Sequence, residues 1–420
     1  MITLMSPCAI GSEKILSNEL RQYKFHPVSN ATGRVCFSLD SSSETPALSP
    51  KKLQVIDSVS KSELAALYRI NCMLRTADRV YLQMAVIPCN DFNDLFDGVR
   101  TIRWQDWFTK DVRVVVDKVR VSSSVLSSEH SIQSVVHKAI YDRLGKSWGM
   151  ELLPETGKTA KIRVYLENNV ASILLDLSGM PLHRRGYRTS GGEAPIRETL
   201  AAILLQLMQW RRKTPLHDAF CGSGTIPIEA SLYAHNIAPG LGRTFALQDL
   251  APFLGNDAQE MMNNERVEAA KRINTDCLVR VTGSDCDPNI IRAAQANAER
   301  ACVIAGKALQ NAGIDARIPR PDFTVSNFSD LAAPYQNGLL LSNPPYGERL
   351  GDRGTASELY SSMQSMFQDF PGWDFGFITN HDEFEAAIGK KATKTRALKS
   401  GNLETRFYMY REEVDNGNSC

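Results

Sequence analysis

The segment PLHDAFCGSGT, residues 215–225, decides the fold class, because it joins a short apolar strand to a helix through a glycine-rich turn. Strand Pro215–Ala219 precedes the turn, and a helix is predicted over Ile226–Ala234. Glycines let the backbone approach a ligand closely, and the free N–H groups of a helix N-terminus favour an acceptor group. The segment therefore predicts a ligand site at a strand's carboxyl end. A tight connection without a ligand is the alternative.

Further strand candidates follow this segment, with room for helices between them. They are Leu278–Gly283, Phe323–Val325, Leu339–Ser342 and Phe375–Thr379. Such alternation predicts a doubly wound, mostly parallel sheet. Two strand-like runs over residues 396–411 surround Gly401 and Asn402, which predicts a terminal antiparallel hairpin. The stretch from about 236 to 275 is too long for a simple strand-helix-strand unit and is predicted to be an insertion.

An acid ends the strand that follows the insertion, in the segment VTGSDCDP, residues 281–288. A carboxylate at this position can accept hydrogen bonds from both hydroxyls of a ribose. Asp287 directly precedes the alanine-rich helix Asn289–Arg300 and is interpreted as its N-cap. Asp285 is therefore the candidate for a ribose contact.

The most specific motif is LSNPPYGER, residues 341–349, which follows an apolar strand. Two prolines fix the backbone, so the Asn343 side-chain oxygen and the Pro344 carbonyl can both accept hydrogen bonds from one planar amino group. Such acceptors would raise the reactivity of a nucleobase amine toward a methyl sulfonium, with Tyr346 stacked on an extruded base. Asn343, Pro344, Pro345 and Tyr346 are thus the catalytic candidates. A Pro-Pro turn without chemistry is the alternative.

The N-terminal half has few clustered acid-base groups. Residues 1–60 predict a short α/β segment with a helix over Ser12–Tyr23, a strand over Val35–Leu39 and a polar loop over Asp40–Pro50. Residues 61–178 alternate helices and strands and predict a small α+β domain. Residues 179–420 form the predicted catalytic domain.

Composition restricts the class of protein. Apolar residues make up 43% and charged residues 23%, which is typical of a globular chain. The nine cysteines include no C-x-x-C pair and the seven histidines complete no zinc spacing, so no metal is predicted. The start lacks signal-peptide features and no long apolar run occurs, which predicts a cytoplasmic protein without a membrane partner. The net charge of +1 neither supports nor excludes nucleic-acid binding.

The order of these motifs resembles that of class I amino-methyltransferases with an N-P-P-Y motif. More narrowly, Asn343–Arg349 and Ala194–Leu200 resemble the THUMP-containing 23S rRNA guanine-N2-methyltransferase family, and segments around 75–80, 95–104 and 182–188 are similar to its N-terminal half. The resemblance implies ferredoxin-like and THUMP RNA-binding domains, both α+β, ahead of a Rossmann-like class I methyltransferase domain. It implies S-adenosyl-L-methionine as methyl donor and RNA as partner, either 23S rRNA or a large-subunit precursor.

The resemblance also assigns roles to residues. It places Asp218, Gly222 and Gly224 at the methionine part of the cofactor, with Pro195 and Arg197 bordering that end. Asp285 would contact the ribose, and Asn343, Pro344 and Tyr346 the target base. The family usually has an acid near the adenine where this chain has Asn327. Neighbouring residues complete the predicted cofactor site: Phe220, Cys221, Thr225, Cys286 and Phe328.

Three further groups have competing interpretations. The run Arg184, Arg185 and Arg188 could contact phosphates or form a solvated surface. The aromatic group Trp104, Trp107 and Phe108 is interpreted as core packing rather than an RNA-stacking surface. His217 is interpreted as a hydrogen-bonded residue of the sheet rather than an acid or base.

The leading hypothesis is an RNA methyltransferase that forms N2-methylguanosine in large-subunit rRNA on a flipped guanine. Methylation of a tRNA guanine is the nearest alternative, and adenine-N6 methylation of DNA is more distant because the N-terminal half resembles a THUMP domain. A non-catalytic RNA-binding assembly factor is the alternative of a different class.

Overall fold

The computed structural model describes residues 2–39, 52–56, 58–188, 195–333, 335–345, 353–401 and 403–411, with only the backbone of 353–357. The chain divides into two compact units. The first comprises Met1–Cys8, Leu16–Leu182 and Arg243–Arg266, and the second comprises Ala9–Ile15, His183–Gly242 and Val267–Cys420. The predicted loop over Asp40–Pro50 lies outside the described residues.

The first unit contains an eight-stranded sheet in the order β2-β3-β1-β5-β8-β7-β6, with β4 paired to β5. Its strands are β1 (Thr3–Pro7), β2 (His26–Ala31), β3 (Arg34–Ser38), β4 (Gln54–Val55), β5 (Tyr81–Pro88), β6 (Arg113–Ser122), β7 (Thr159–Glu167) and β8 (Val170–Asp176). Its helices are α1 (Glu13–Gln22), α2 (Lys61–Met73), α3 (Phe92–Thr101) and α4 (Glu129–Trp148). Pairing of β1 with β5 joins the N-terminal strands to the rest of the sheet.

Local sequence explains several element boundaries in this unit. Ser60 starts α2 with a capping box, because its hydroxyl accepts the Glu63 N–H while the Glu63 carboxylate accepts the Ser60 N–H. Gly149 ends α4 in the left-handed conformation at φ 66°. The aromatic group Trp104, Trp107 and Phe108 is buried. Its prediction as core is confirmed.

The second unit contains a seven-stranded sheet in the order β11-β10-β9-β12-β13-β15-β14. Its strands are β9 (Leu216–Asp218), β10 (Val281–Asp285), β11 (Asp322–Val325), β12 (Gly338–Ser342), β13 (Trp373–Thr379), β14 (Lys394–Ser400) and β15 (Leu403–Tyr410). The helices are α5 (Glu198–Leu207), α6 (Thr225–Ala234), α7 (Asn256–Lys271), α8 (Pro288–Asn311), α9 (Arg353–Ser362), α10 (Met366–Asp369) and α11 (Phe384–Ala387). The first five strands in the order are parallel, while β15 is antiparallel to β13 and β14. The predicted doubly wound sheet with its terminal hairpin is confirmed.

Strand β12 shows why these strands are apolar runs without alternation. Leu339 and Leu341 belong to the core on one face of the sheet, and Leu340 belongs to the core on the other. A parallel strand covered on both faces must be apolar at every position. Strand order reverses at β9, which lies between β10 and β12, so the crevice at its carboxyl end is where such folds bind ligands.

The predicted insertion lies between α6 and β10 and contains α7. Its residues Arg243–Arg266 belong to the first unit. The Arg243 guanidinium donates to the Pro181 carbonyl at 2.6 Å, and Arg69 pairs with Glu265 at 2.9 Å. None of the helices in the described part of the chain has the length and apolar character to span a membrane.

Candidate active site

Asp218 is the last residue of β9 and is almost fully buried, with 1% of its surface exposed. Its carboxylate accepts the Phe220 N–H at 3.1 Å and a hydrogen bond from the Ser342 hydroxyl. Burial raises the pKa of Asp218 to about 7, and the nearby Asp285 charge adds to the rise. A carboxyl group in this state can gain or lose its charge near neutral pH.

The glycine-rich turn after Asp218 is closed on one side and open on the other. Gly222 and Gly224 have φ of 51° and 84°, which few other residues adopt without strain. A Cβ atom on Gly224 would lie 2.9 Å from the Phe323 ring, whereas a Cβ on Gly222 would meet no atom within 4 Å. The open side above Gly222 leaves space for a ligand.

Asp285 closes the turn from the end of β10. One carboxylate oxygen accepts the Gly222 N–H at 3.1 Å and the other accepts the Asp287 N–H at 3.1 Å. Each oxygen retains a second lone pair for a ligand hydroxyl. Asp287 accepts the Asn289 N–H at 2.7 Å and caps α8, so its predicted capping role is confirmed.

The predicted neighbours of this crevice differ in their surroundings. Phe220 and Phe328 stack at 5.2 Å between ring centroids. Asn327 follows β11 with an exposed side chain, 3.5 Å from Asp330. Burial raises the pKa of the Cys221 thiol well above its usual range, so this thiol stays neutral, whereas Cys286 is exposed.

The polar groups of S-adenosylmethionine match the hydrogen-bonding groups of these residues. Asp285 has acceptor positions left for ribose hydroxyls, and the space above Gly222 admits the chain between ribose and methionine. Among the residues that the structure describes, none is hydrogen-bonded to the buried Ser223 hydroxyl, and a ligand could supply a partner. Within the described ranges, no group of three or more His, Cys, Asp or Glu is arranged to hold a metal ion.

Asn343, Pro344 and Pro345 follow β12 directly, whereas the predicted base-stacking residue Tyr346 lies outside the described residues. Asn343 is half-buried, and no hydrogen bond engages its side chain among the residues described. The Pro345 carbonyl accepts the Tyr360 hydroxyl at 3.0 Å, and that hydroxyl lies 3.1 Å from Thr379 Oγ1. Tyr360 thus holds the motif against the end of β13.

Ser342 joins the motif to the cofactor loop. It is fully buried, accepts the Ala219 N–H at 2.9 Å and donates to the Asp218 carboxylate. Neither Ser342 nor Tyr360 was among the site residues predicted from the sequence. A hydroxyl directly before Asn343 was a visible signal for Ser342, but nothing in the sequence pairs Tyr360 with Pro345.

Ser342→Ala is expected to weaken methyl transfer about tenfold and to shift the pH dependence of cofactor affinity to higher pH. The Ala219 N–H and the Asp218 carboxylate each lose a buried partner, a loss of roughly 1–3 kcal/mol, and the pKa of Asp218 rises further. Calorimetric titration of the cofactor across pH measures the shift. Ser284→Ala is the matched control, since Ser284 is equally buried in β10 and contacts His217. Identical pH profiles for both variants would contradict the role.

The basic run before α5 is not a uniformly solvated surface. Arg185 is 3% exposed and lies 3.4 Å from both carboxylate oxygens of Glu229. Arg188 lies 3.5 Å from Glu198 and donates to the Thr225 hydroxyl. The solvated-surface interpretation is therefore wrong for Arg185 and Arg188, whose charges are compensated inside the unit, and phosphate contact stays a prediction.

Pro195 and Arg197 lie just before α5. Pro195 is partly buried, and the exposed Arg197 has its guanidinium next to Gly401, in the turn between β14 and β15. His217 contacts Thr282 Oγ1 at 2.8 Å and Ser284 Oγ at 3.1 Å. Its prediction as a hydrogen-bonded sheet residue is confirmed, and burial lowers the pKa of His217 to about 4.

A family model described as an RMKL-like methyltransferase domain matches residues 185–408, which include the whole crevice described above. The chain belongs to the RMKL-like methyltransferase family. A second model, the THUMP domain, matches residues 89–176 of this RMKL-like chain. The resemblance to a THUMP-containing rRNA methyltransferase family and the predicted order of the two domains are confirmed.

Similar proteins span this RMKL-like chain to different extents. "Putative RNA methyltransferase YpsC" of Bacillus subtilis (strain 168) is 34% identical, over 98% of this chain and 96% of its own length. "Ribosomal RNA large subunit methyltransferase K/L" of Shewanella pealeana is 31% identical over 83% of this chain, which covers 47% of that protein. The chain thus spans about half the length of its K/L relatives.

The crystal structure of SMU.472 complexed with SAH superposes with a TM-score of 0.79 at 29% identity, covering 98% of both chains. SAH is the product that remains when S-adenosylmethionine has given up its methyl group. Together with the family match, this establishes the RMKL-like chain as an S-adenosylmethionine-dependent methyltransferase, as the sequence predicted.

Proposed function

We propose that this RMKL-like protein methylates large-subunit rRNA and forms N2-methylguanosine on a flipped guanine. The observation that carries the proposal is the adjacency of Asn343 and Pro344 to the cofactor loop, through the Ser342 bridge to Ala219 and Asp218. Acceptors for an amine thus lie beside the turn that the resemblance assigns to the methionine part of the cofactor. Relatives named ribosomal RNA large subunit methyltransferase K/L support the substrate.

In this proposal the protein's residues promote methyl transfer by orienting the target amine. S-adenosylmethionine supplies an electrophilic methyl group whose carbon–sulfur bond electrons remain on the departing sulfur. The Asn343 side-chain oxygen and the Pro344 carbonyl accept hydrogen bonds from the two amine hydrogens, which orients the nitrogen lone pair for attack on the methyl carbon. One of these hydrogens leaves as a proton to water once the nitrogen–carbon bond has formed. Tyr360 fixes this geometry from behind by holding the Pro345 carbonyl. Tyr346 is assigned to stacking on the base.

The N-terminal half is proposed to grip the RNA. We assign residues 1–60 to a ferredoxin-like segment, 61–178 to the THUMP domain and 179–420 to the methyltransferase domain. The THUMP match over residues 89–176 supports the middle assignment. Large-subunit rRNA or its precursor is the proposed partner, and the cytoplasm is the proposed location.

Mass-spectrometric nucleoside mapping of rRNA and tRNA from cells lacking this gene tests the proposal. The purified protein is then incubated with labelled cofactor and the hypomethylated RNA. Loss of one N2-methylguanosine from large-subunit rRNA, restored in vitro, is the expected result. A lost tRNA mark with unchanged rRNA would transfer the activity to tRNA, and a lost N6-methyladenine in DNA would transfer it to DNA. No change in any nucleic acid would favour an assembly factor.

A further inference from the structure

Besides the crevice at the end of β9, the second unit has a cavity near the proposed base site. This cavity is called here the β13 pocket. It has a volume of about 330 Å³ and is lined by residues from the end of β13, from the loop Asn380–Asp382, from β14 and β15, and by Ile10. Pockets of about 300 Å³ and more accommodate small organic ligands. One nucleotide is of this size.

The β13 pocket is one side chain away from the proposed amine acceptors. Thr379 lines the pocket, and its hydroxyl contacts the same Tyr360 hydroxyl that holds the Pro345 carbonyl. Strands β12 and β13 are parallel, with Ser342 opposite Phe377, so Thr379 lies two residues further along at the level of the motif. The Tyr360 side chain therefore separates the pocket from the base site.

The order of strands in the sheet determines on which side of the base site the neighbouring nucleotide of a bound RNA can lie. The turn and Asp285, which form the proposed cofactor site, lie on β9 and β10, on one side of β12. β13 and the hairpin lie on the other side. A nucleotide joined to a base held at Asn343 would thus meet the cofactor in one direction and the β13 pocket in the other.

Arg406 supplies the pocket with a positive charge. It lies in β15 opposite Thr379 of β13 and Ala397 of β14, it is exposed, and its side chain is hydrogen-bonded to that of Tyr408. No carboxylate in the described part of the chain pairs with Arg406. Lys399, by contrast, is paired with Glu404 at 2.5 Å. Arginine binds phosphate oxygens through two parallel hydrogen bonds.

Ile10 supplies apolar surface to the same pocket. Its side chain is 38% exposed, and its backbone bridges to Lys399 of β14. The Arg396 guanidinium donates to the neighbouring Gly11 carbonyl at 3.0 Å, which fixes this segment against the hairpin. An exposed aliphatic side chain next to a cation is a suitable surface for the ring of a nucleobase whose phosphate contacts the arginine.

We propose that the β13 pocket binds the RNA nucleotide adjacent to the target guanine, with its phosphate on Arg406 and its base against Ile10. This inference rests on the proposed function, because it presumes an RNA substrate held at Asn343. It assigns substrate positioning to the hairpin and to the N-terminal segment around Ile10. Arg406 is a substrate-binding residue in this proposal and has no part in methyl transfer.

The test compares Arg406→Ala, Arg406→Lys and Arg280→Ala on unmodified large-subunit rRNA transcribed in vitro. Arg280 is the matched control, since it is an exposed arginine directly before β10, which lies on the other side of β12 in the same sheet. Arg406→Ala should raise KM for the RNA about tenfold, with kcat within about twofold and unchanged cofactor affinity. The slope of log binding constant against log salt concentration should fall by about 0.7, the value for one phosphate contact on a single strand.

The lysine variant keeps the charge and should retain the salt slope while recovering part of KM. Equal KM and slope for wild type, Arg406→Ala and Arg280→Ala would overturn the inference and leave the proposed function standing. A loss confined to kcat would overturn it too, because that pattern indicates a disturbed active site. Absence of methyl transfer by the wild type on this RNA would instead count against the proposed rRNA substrate.

Discussion

Asn343→Ala is expected to reduce the rate of methyl transfer by about 10²- to 10³-fold while leaving the cofactor dissociation constant within about twofold. The range is that seen when one preoriented hydrogen-bonding group is removed from an active site. Asn343 is half-buried and no described residue is hydrogen-bonded to its side chain, so the fold loses little. Single-turnover rates with labelled cofactor measure the first quantity, and calorimetry measures the second.

Two further variants make this result interpretable. Asn343→Asp keeps an acceptor oxygen and should retain more activity than Asn343→Ala. Asn311→Ala, at the exposed end of α8, is the control for an asparagine-to-alanine substitution outside the site and should be fully active. Unchanged turnover in Asn343→Ala would remove this residue from the chemistry, and a parallel loss of cofactor affinity would assign it to cofactor binding.

Much of the second sheet could be predicted because each parallel strand carries its own local signal. β12 is apolar at Leu339, Leu340 and Leu341 because both of its faces are covered, and its end is marked by the asparagine and prolines. The first unit was harder. β1 has only five residues and β2 contains Pro27, so neither shows a clear two-residue alternation. These two strands are defined by their pairing with β3 and β5 in the sheet rather than by a periodic pattern in their own sequence.

Side-chain partners far apart in sequence could not be predicted. Arg185 belongs to a basic run that suggested solvent or phosphate, but its partner Glu229 comes 44 residues later, on a helix that looked merely apolar. The bridge from Ser342 to Ala219 spans 123 residues. Such contacts depend on strand order, because the neighbour of β12 in the sheet is β9 rather than the strand that precedes it in sequence.

Asp218→Asn is expected to stabilise the cofactor-free protein at pH 8 and to abolish the pH dependence that Asp218 causes. The folded state raises the pKa of Asp218 from 3.8 to about 7 through burial, so between these values it holds a proton that the unfolded chain has released. The free energy of unfolding of the wild type therefore falls as pH rises through this window, by roughly 4 kcal/mol in total. Asparagine has no proton to lose, so the variant lacks this decline.

Urea unfolding of both proteins without cofactor at pH 5 and pH 8 measures the difference. Asp287→Asn serves as the matched control, since asparagine caps a helix about as well as aspartate and should leave the stability at both pH values unchanged. A variant less stable than the wild type at pH 8 would show that the Asp218 carboxylate supports the fold, and would contradict the expectation.

The same substitution should weaken cofactor binding by roughly 10- to 100-fold at pH 8, the effect of losing one hydrogen bond to a charged group. If Asp218 binds the methionine ammonium, only its ionised form binds well, so wild-type affinity should fall as pH drops below about 7. The affinity of Asp218→Asn should not change over this range. In the empty site, burial destabilises the Asp218 carboxylate. In the filled site, the ammonium group would stabilise it, which gives a functional reason for an acid at the end of β9. Equal cofactor affinity in both proteins would leave that burial without a functional reason.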